Sequence, residues 1–343
     1  MALVVRAPVG WLGPGRVSRP AEVRCEGGTI AEAGQSVRAD ETDDVLDLDG
    51  FLMPAGADRH VHIGLSDPMA VLLRGITAVR DLAWPSDRIF ALADASELPS
   101  YSGPLVRAAG PMLTGPGGYP TADGWGPPGT GRELGGAEDA ALAVADLAAR
   151  GAAAIKVSLN AESPPTPSDA ELATIVETAH DHELPVTAHC QGAGQVERAL
   201  GAGIDELAHT PWTHALSDDL VEACAKRLRF VSTLAIHTYG RETRGLRTAL
   251  DNLHRFHEAG GTVTYGTDLG NGGIPPGIHV RELELLGEAG LSPDAVLGAL
   301  TRAPLDPGAP ADLIVLAADP LLDLRAFDDL RLVVRAGRLV STG

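Results

Sequence analysis

The chain has 343 residues, of which 44% are hydrophobic and 21% charged, so it is long enough and apolar enough to bury a large globular core. Its 46 acidic residues outnumber 27 basic ones, and the net charge of −19 argues against nucleic acid or an anionic membrane as partner. We also expect no transmembrane helix and no signal peptide, because neither pattern of apolar residues is present. Three cysteines without a C-x-x-C motif favour a reduced, cytoplasmic protein. The sequence leaves open whether the protein forms a homo-oligomer.

The two ends of the chain predict a single small β-structure. Residues 1–53 show short alternating runs separated by turns, and residues 307–343 return to the same texture. Neither segment is large enough for a core of its own, so we expect the two to pair into one small β-sandwich unit. The clearest predicted strands of these segments lie at 21–25, 29–31, 45–48, 312–316 and 332–340.

Residues 54–306 predict a different architecture, in which short apolar runs alternate with amphipathic stretches. Two clear helical patterns are Ala137–Ala149 and Asp169–His180. Continuous apolar strands separated by helices are typical of parallel strands buried on both faces. The predicted strands lie near 55–62, 76–82, 104–109, 153–159, 185–190, 204–209, 229–235 and 262–267. This pattern predicts an α/β fold, a (β/α)8 TIM-like barrel. A doubly wound open sheet is the alternative, but the turn after its first strand usually carries a glycine-rich fingerprint, and here it carries histidines.

A Gly- and Pro-rich stretch at 111–136 follows the third predicted strand. On a barrel this position lies on the catalytic face. Long loops in compact domains are often lids or binding loops. We therefore interpret the stretch as a lid, with a disordered insertion as the alternative.

Several polar residues lie at or near the carboxyl ends of the predicted barrel strands. They are His60, His62, Lys156, His189, His209 and Asp268. His60 and His62 are two residues apart on one strand, so their side chains share a face and can bind one metal ion. His180 and His182 have the same spacing but end a helix, where exposed histidines are common. Burying the six polar groups together is costly unless a metal compensates, and imidazole with carboxylate suits zinc or a similar divalent ion.

The chain contains only two lysines, Lys156 and Lys226, among its 27 basic residues. Lys226 lies on a predicted exposed helix, and we assign it no role. Burial beside metals lowers the pKa of an amine, and a neutral amine can add CO2 to become an anionic carbamate that bridges two ions. Arginine cannot do this. The alternative is a buried Lys156 that pairs with an acid such as Asp268 and binds no metal.

Three segments together resemble the amidohydrolase superfamily, in particular the branch of imidazolonepropionases and metal-dependent Xaa-Pro dipeptidases. Residues 50–62, GFLMPAGADRHVH, are similar to its G-x-x-x-P-G-x-x-D-x-H-x-H motif. Residues 72–81, LLRGITAVRD, resemble its second strand. Residues 311–316, ADLIVL, followed by Asp319-Pro320-Leu321, resemble its returning carboxyl-terminal strand. The resemblance covers nearly the whole chain.

The resemblance implies a role for each of the polar residues. His60 and His62 bind one metal ion, His189 and His209 bind a second, and a carbamate on Lys156 bridges them. Asp268 ligates the first ion and acts as general base. The ions are expected to be Zn²⁺, with Mn²⁺, Co²⁺ or Fe²⁺ as alternatives. A metal-activated hydroxide then attacks the C–N bond of an amide or cyclic amide in a small molecule.

The chain departs from the family pattern at one informative place. Residues 117–119 are Gly-Gly-Tyr where the peptidase branch often has Gly-Gly-His, so Tyr119 replaces a substrate-polarising histidine and dipeptidase specificity does not follow. Tyr119 and His237 are the candidate substrate contacts, although an ordinary loop histidine explains His237 equally well. We expect Arg59 to point away from the site, towards an acid. Arg80 and Asp81 either form a structural ion pair or support the site residues from behind, and we favour the structural interpretation.

Three other functions remain open at this stage. A mononuclear imidazolone hydrolase or deaminase would use one ion only, against which Lys156 argues. A metal-dependent cyclase or isomerase would keep the same ligands and run another reaction. A non-catalytic scaffold protein would be expected to have lost ligands, and none is missing from this sequence.

Overall fold

The structure is a computed structural model that describes residues 2–121, 124–238 and 241–342. The strands, in chain order, are β1 (Leu3–Ala7), β2 (Val9–Gly13), β3 (Arg16–Ser18), β4 (Ala21–Glu26), β5 (Thr29–Gly34), β6 (Asp44–Asp47), β7 (Phe51–Pro54), β8 (Gly56–Val61), β9 (Ile76–Asp81), β10 (Leu105–Ala108), β11 (Met112–Thr114), β12 (Gly131–Glu133), β13 (Ile155–Asn160), β14 (Val186–Gln191), β15 (Glu206–Leu207), β16 (Arg229–Val231), β17 (Thr262–Thr264), β18 (Leu313–Leu316), β19 (Leu330–Arg335) and β20 (Arg338–Thr342). The α-helices are α1 (Pro68–Leu73), α2 (Ser86–Ser96), α3 (Ala137–Ala149), α4 (Asp169–Asp181), α5 (Gln195–Ala202), α6 (Asp218–Arg227), α7 (Arg244–Glu258), α8 (Val280–Glu288) and α9 (Pro293–Leu300).

The predicted (β/α)8 barrel is confirmed. Parallel pairing joins β8 to β9 and β9 to β10, and joins β13 through β17 in chain order. β11 pairs with β13, and the amide of Ala153 donates to Ala108 O at 2.8 Å, which connects the two halves. The barrel closes where Val61 pairs with Leu269 just beyond β17. These strands correspond to the eight predicted apolar runs, although β15, β16 and β17 are shorter than their runs.

Local sequence explains why the helices form between these strands. Ser168 caps α4, its hydroxyl accepts from the amide of Glu171, and the Glu171 carboxylate accepts from the Ser168 amide. This reciprocal capping box satisfies donors that a helix start otherwise leaves unpaired. The buried residues of α4 recur at helical spacing and include Leu172, Ile175 and Ala179. Amphipathic spacing of this kind packs one helix face against the sheet.

The chain ends form two packed sheets, as the sequence predicts. One sheet has the order β5-β4-β1-β6, and the other has the order β20-β19-β18-β7-β2-β3. Their facing side chains share a buried cluster to which Val5, Val23, Leu52 and Leu313 belong. The run at 332–340 is not one strand, as predicted, but a hairpin of β19 and β20. Ala336 and Gly337 form its turn with φ values of 48° and 71°, because a two-residue hairpin turn needs left-handed backbone.

The predicted lid at 111–136 is more ordered than the sequence suggests, because it contains β11 and β12. Ala122 and Asp123 of this stretch lie outside the described residues. No helix in the described part of the chain is long and apolar enough to cross a membrane.

Aromatic stacking between β16 and α7 generates a first prediction. The rings of Phe230 and Phe256 lie parallel with centroids 3.7 Å apart, and both side chains are fully buried. Replacing Phe256→Ala should lower the free energy of unfolding by about 3–5 kcal/mol, because it leaves a cavity beside a barrel strand. Denaturant unfolding measures this change. Leu142→Ala on α3 is the control, since Leu142 is 62% exposed and should change the stability little; equal losses in the two variants would contradict the packing argument.

Candidate functional site

Three of the predicted site residues converge at the carboxyl ends of the barrel strands. Nε2 of His62 lies 3.1 Å from Oδ1 of Asp268, and Nε2 of His60 lies 3.4 Å from the same oxygen. The three ligand atoms lie within 4.8 Å of one another, and all three residues are buried. Two imidazole nitrogens and a carboxylate at this spacing can hold a divalent ion.

The barrel closure holds this group together. Asp58 accepts hydrogen bonds from the Thr267 hydroxyl at 2.5 Å and from the amides of Thr267 and His60 at 3.1 and 3.0 Å. The amide of Asp268 donates to His60 O at 2.8 Å. Asp268 itself has φ 60°, a left-handed conformation that is uncommon for an aspartate and turns the backbone immediately after Thr267. The first and last barrel strands are therefore joined directly beneath the three ligand atoms.

Backbone carbonyls orient the two imidazoles. Nδ1 of His60 lies 2.8 Å from Ala208 O, and Nδ1 of His62 lies 3.3 Å from Ala83 O. A carbonyl oxygen can only accept, so these contacts favour a proton on Nδ1 of each ring. Nε2, the atom that faces Asp268, is then the nitrogen that can bind a metal ion. This carbonyl support is the usual way in which proteins fix the tautomer of a metal-ligating histidine.

His189 and His209 extend the cluster on the far side of His60. The ring centroid of His209 lies 4.6 Å from that of His60 and 5.0 Å from that of His189. Nδ1 of His209 lies 2.8 Å from the Thr233 hydroxyl. His189 is at the carboxyl end of β14, and His209 follows β15, so neighbouring strands present the two rings to one space.

Lys156 lies on β13 and is completely buried. Within the described residues, its Nζ has no hydrogen-bond partner. The expected alternative, in which Lys156 pairs with Asp268, therefore has no direct ion pair to support it. Burial lowers the pKa of this amine to about 7, and the positive charge of Arg80 adds to the effect, against the opposing attraction of Asp268 and Glu206.

The protonation states of the cluster suit a cation. Burial holds the pKa of His60 and His209 well below the usual range and lowers that of His189 to about 3, so these rings are neutral at pH 7. Burial alone would raise the pKa of Asp268, but His60, His62 and the amide of Asn271 outweigh it and hold this pKa well below its usual range. Neutral imidazoles and an ionised carboxylate are the forms that bind metal.

Both candidate substrate contacts lie against this cluster. The ring of Tyr119 stacks on His189 at 4.8 Å. His237 stacks on Trp212 at 4.7 Å, and its Nε2 is buried with no partner in the described part of the chain. Burial lowers the pKa of His237 to about 4, so it is a neutral ring.

Sequence reasoning missed two tryptophans that pack on the cluster. The Trp125 ring lies 4.4 Å from His62, and the Trp212 ring lies 5.3 Å from His209. A signal was present, because the chain has only four tryptophans and these two lie in the predicted lid and three residues after His209. The Thr233 hydroxyl was also missed, and nothing in the local sequence marks it.

Two expectations beneath the site are wrong. Arg80 does not pair with Asp81; its guanidinium donates to Glu206, because adjacent residues on a strand face opposite sides. Asp81 instead accepts from the amides of Ile63 and Ala83 at 2.8 and 3.2 Å. Arg59 points away from the site, as expected, but its guanidinium donates to Thr301 O at 3.1 Å, a carbonyl rather than an acid.

The comparisons with known proteins agree with this fold and site. The profile of the amidohydrolase family matches residues 51–340, and the chain belongs to that family. The resemblance in the three sequence motifs is thereby confirmed. With the buried His60, His62 and Asp268 group, family membership defines a hydrolase of the metal-dependent amidohydrolase class.

Particular relatives are more distant. The chain is 28% identical over 331 residues to the uncharacterized protein Rv2915c of Mycobacterium tuberculosis (strain ATCC 25618 / H37Rv), covering 84% of this chain and 85% of the relative. A Xaa-Pro dipeptidase crystallised with bound methionine has a TM-score of 0.82 at 20% identity, with full coverage of both chains. Ochratoxinase of A. niger has a TM-score of 0.84 at 22% identity, covering 100% of this chain and 96% of its own. A putative prolidase from Bifidobacterium longum has a TM-score of 0.83 at 24% identity, with 98% and 94% covered. At these identities the solved structures show a shared fold.

The two His-x-His motifs generate the second prediction. His62→Ala should weaken binding of a divalent ion by at least about 100-fold, because it removes one of three convergent ligand atoms. Equilibrium dialysis with elemental analysis measures the affinity. His182→Ala is the matched control, since His182 has the same sequence spacing but caps the end of α4. If both variants bound metal like the unmodified protein, the ion would lie elsewhere.

Proposed function

We propose that this protein is a binuclear metal-dependent amidohydrolase that hydrolyses the C–N bond of an amide or cyclic amide in a small molecule. His60, His62 and Asp268 would hold one divalent ion, and His189 and His209 a second. A carbamate on Lys156, formed from CO2, would bridge the two. Zn²⁺ suits this set of nitrogen and oxygen ligands, as do Mn²⁺, Co²⁺ and Fe²⁺.

The buried amine of Lys156 is the observation that carries this proposal. Its Nζ lacks a hydrogen-bond partner among the described residues, although an unsatisfied buried amine is costly. The neutral imidazoles near it supply no negative charge to balance the ammonium form of Lys156. Conversion to a carbamate would remove the positive charge and create an anion that binds metal. The low pKa, about 7, favours this reaction because only the neutral amine attacks CO2.

Asp268 is the candidate general base. Its carboxylate faces both His60 and His62, and these two rings together with Asn271 hold its pKa well below its usual range. Two bound divalent ions would supply Lewis acidity for the amide carbonyl and for a water molecule. Asp268 would accept a proton from the attacking water and donate it to the departing nitrogen. The side-chain amide of Asn271 donates to Oδ1 of Asp268 at 3.1 Å and restricts the carboxylate to this orientation.

Tyr119 and His237 are the candidate substrate-positioning residues. The ring of Tyr119 stacks on His189, and Nε2 of His237, which has no partner among the described residues, is buried near Trp212. Trp125 and Trp212 add flat apolar walls next to His62 and His209. Such a mixture of apolar walls and few polar atoms is typical of sites for small molecules.

A mononuclear enzyme of the imidazolone hydrolase or deaminase type is the second candidate. The observation that favours it is the compact group of His60, His62 and Asp268, whose three ligand atoms lie close enough together for a single ion. Under this alternative Lys156 would remain an amine and would have only a structural role.

Counting metal ions and detecting the carbamate tests the proposal and forms the third prediction. Protein loaded with Zn²⁺ and ¹³C-bicarbonate should hold close to two ions per chain by elemental analysis and show one protein-bound carbamate resonance. Lys156→Ala should lose the resonance and at least one ion. Lys226→Ala is the matched control, because Lys226 is the chain's other lysine and lies exposed on α6. Two ions without a resonance would overturn the carbamate, and one ion without a resonance would favour the mononuclear candidate.

The amount of carbamate formed on Lys156 should depend on pH in a defined way. With a pKa of about 7, roughly half of the Lys156 amine is neutral at pH 7, compared with about one part in 3,000 for an ordinary lysine. Carbamate formation releases one proton, because the neutral amine and CO2 give the carbamate anion and H⁺. In metal-free protein at a fixed concentration of dissolved CO2, and while little of the amine has reacted, the carbamate should therefore rise steeply with pH below about pH 7 and less steeply above it. A steep rise that continues to about pH 10 would show an ordinary amine.

Removing the general base forms the fourth prediction. Asp268→Asn should lower kcat by about 10²- to 10⁴-fold for any amide, lactam or N-acyl amino acid that the protein hydrolyses, because the amide side chain cannot accept the proton. Circular dichroism should show an unchanged fold. Asp181→Asn, at the exposed end of α4, is the control and should retain full activity. Unchanged kcat in Asp268→Asn would exclude this mechanism.

A further inference from the structure

A cavity lies at the opposite end of the barrel from the metal-ligand cluster. Its volume is about 330 Å³, and its apolar floor consists of Ala57, Ala78 and Leu105. These residues lie in the amino-terminal halves of β8, β9 and β10, whereas His60 and His62 lie at the carboxyl end of β8. The cavity is therefore separate from the candidate active site.

Four arginines line this cavity, in a protein whose net charge is −19. Arg80 donates to Glu206, and Arg107 donates to Glu97 at 2.6 Å. Arg59 donates only to the carbonyl of Thr301, and the described residues provide Arg302 with no hydrogen bond or ion pair. Two of the four guanidinium groups consequently have no carboxylate partner.

The acids near the cavity have other partners. Asp312, whose charge acts on Arg302, accepts from the backbone amide of Ala336 at 2.7 Å. Both oxygens of Asp58 accept hydrogen bonds from Thr267. Glu206 is already divided between Arg80 and Arg229, whose Nε lies 3.9 Å from Oε2.

We propose that this cavity binds a small oxyanion, a phosphate or carboxylate group of a metabolite, between Arg59 and Arg302. Planar guanidinium groups match the oxygens of both anions with paired hydrogen bonds. Arg59 is half-buried and Arg302 is exposed. A half-buried cation without a counter-charge is costly, and an anion bound between the two would relieve that cost at Arg59. The volume is at the lower end of the range for small-molecule sites, which fits an anionic group with a small organic body. The proposal depends on the barrel and on these arginines, and does not depend on the proposed hydrolase activity.

Calorimetric titration of the metal-loaded protein with inorganic phosphate, and separately with citrate, tests this site at constant ionic strength. Either anion should bind saturably, and the tighter of the two identifies the ligand class. Arg302→Ala should weaken binding at least tenfold, whereas Arg302→Lys should weaken it less because the charge remains. Arg88→Ala on α2 is the matched control, since Arg88 is exposed and does not line the cavity. It should bind like the unmodified protein.

Two further measurements locate the binding. His62→Ala disturbs the metal-ligand cluster and should leave phosphate or citrate binding unchanged. If His62→Ala removed binding and Arg302→Ala did not, the anion would bind at the metal ions and the proposal would be wrong. Thermal unfolding without the anion should be the same for Arg302→Ala and the unmodified protein, which separates loss of binding from loss of folding. Absence of saturable binding by both anions would also overturn the proposal.

Discussion

Closure of the barrel between β8 and the segment after β17 is the constraint on which the rest of the site depends. Asp58 and Thr267 are 209 residues apart, yet a hydrogen bond of 2.5 Å joins their side chains. Next to them, the amide of Asp268 donates to His60 O. This contact sets the distance between the histidines of the first strand and the carboxylate that follows the last. Without closure, His62 and Asp268 would have no reason to meet.

Closure also buries several titratable groups close together, where positively charged imidazoles would be poorly solvated and would repel one another. The cluster avoids this cost because its buried imidazoles are neutral. Burial depresses the pKa of His60, His189 and His209, and it brings the amine of Lys156 to about 7. The single carboxylate of Asp268 remains ionised among them. A site with neutral imidazoles and one fixed anion is suited to cations, since His60, His189 and His209 do not have to lose a proton before binding.

The barrel interior continues this polar character below the cluster. Arg80 and Glu206 lie beneath Lys156, and their opposite charges both act on its amine. Arg80 also lines the cavity at the amino-terminal ends of the strands. The two ends of the barrel thus differ in what they can attract. The carboxyl end gathers neutral nitrogens and a carboxylate, whereas the amino end gathers guanidinium groups.

The sequence by itself determined the barrel and the identity of its ligand candidates, because apolar runs alternate with helices and polar residues end those runs. His60 and His62 could be placed on one face from their spacing alone. Only the tertiary structure decided which residues meet. In the folded chain Arg80 pairs with Glu206 rather than with Asp81, and the run at 332–340 forms part of a hairpin. Such contacts join distant segments, and a one-dimensional pattern holds no information about the distance between them.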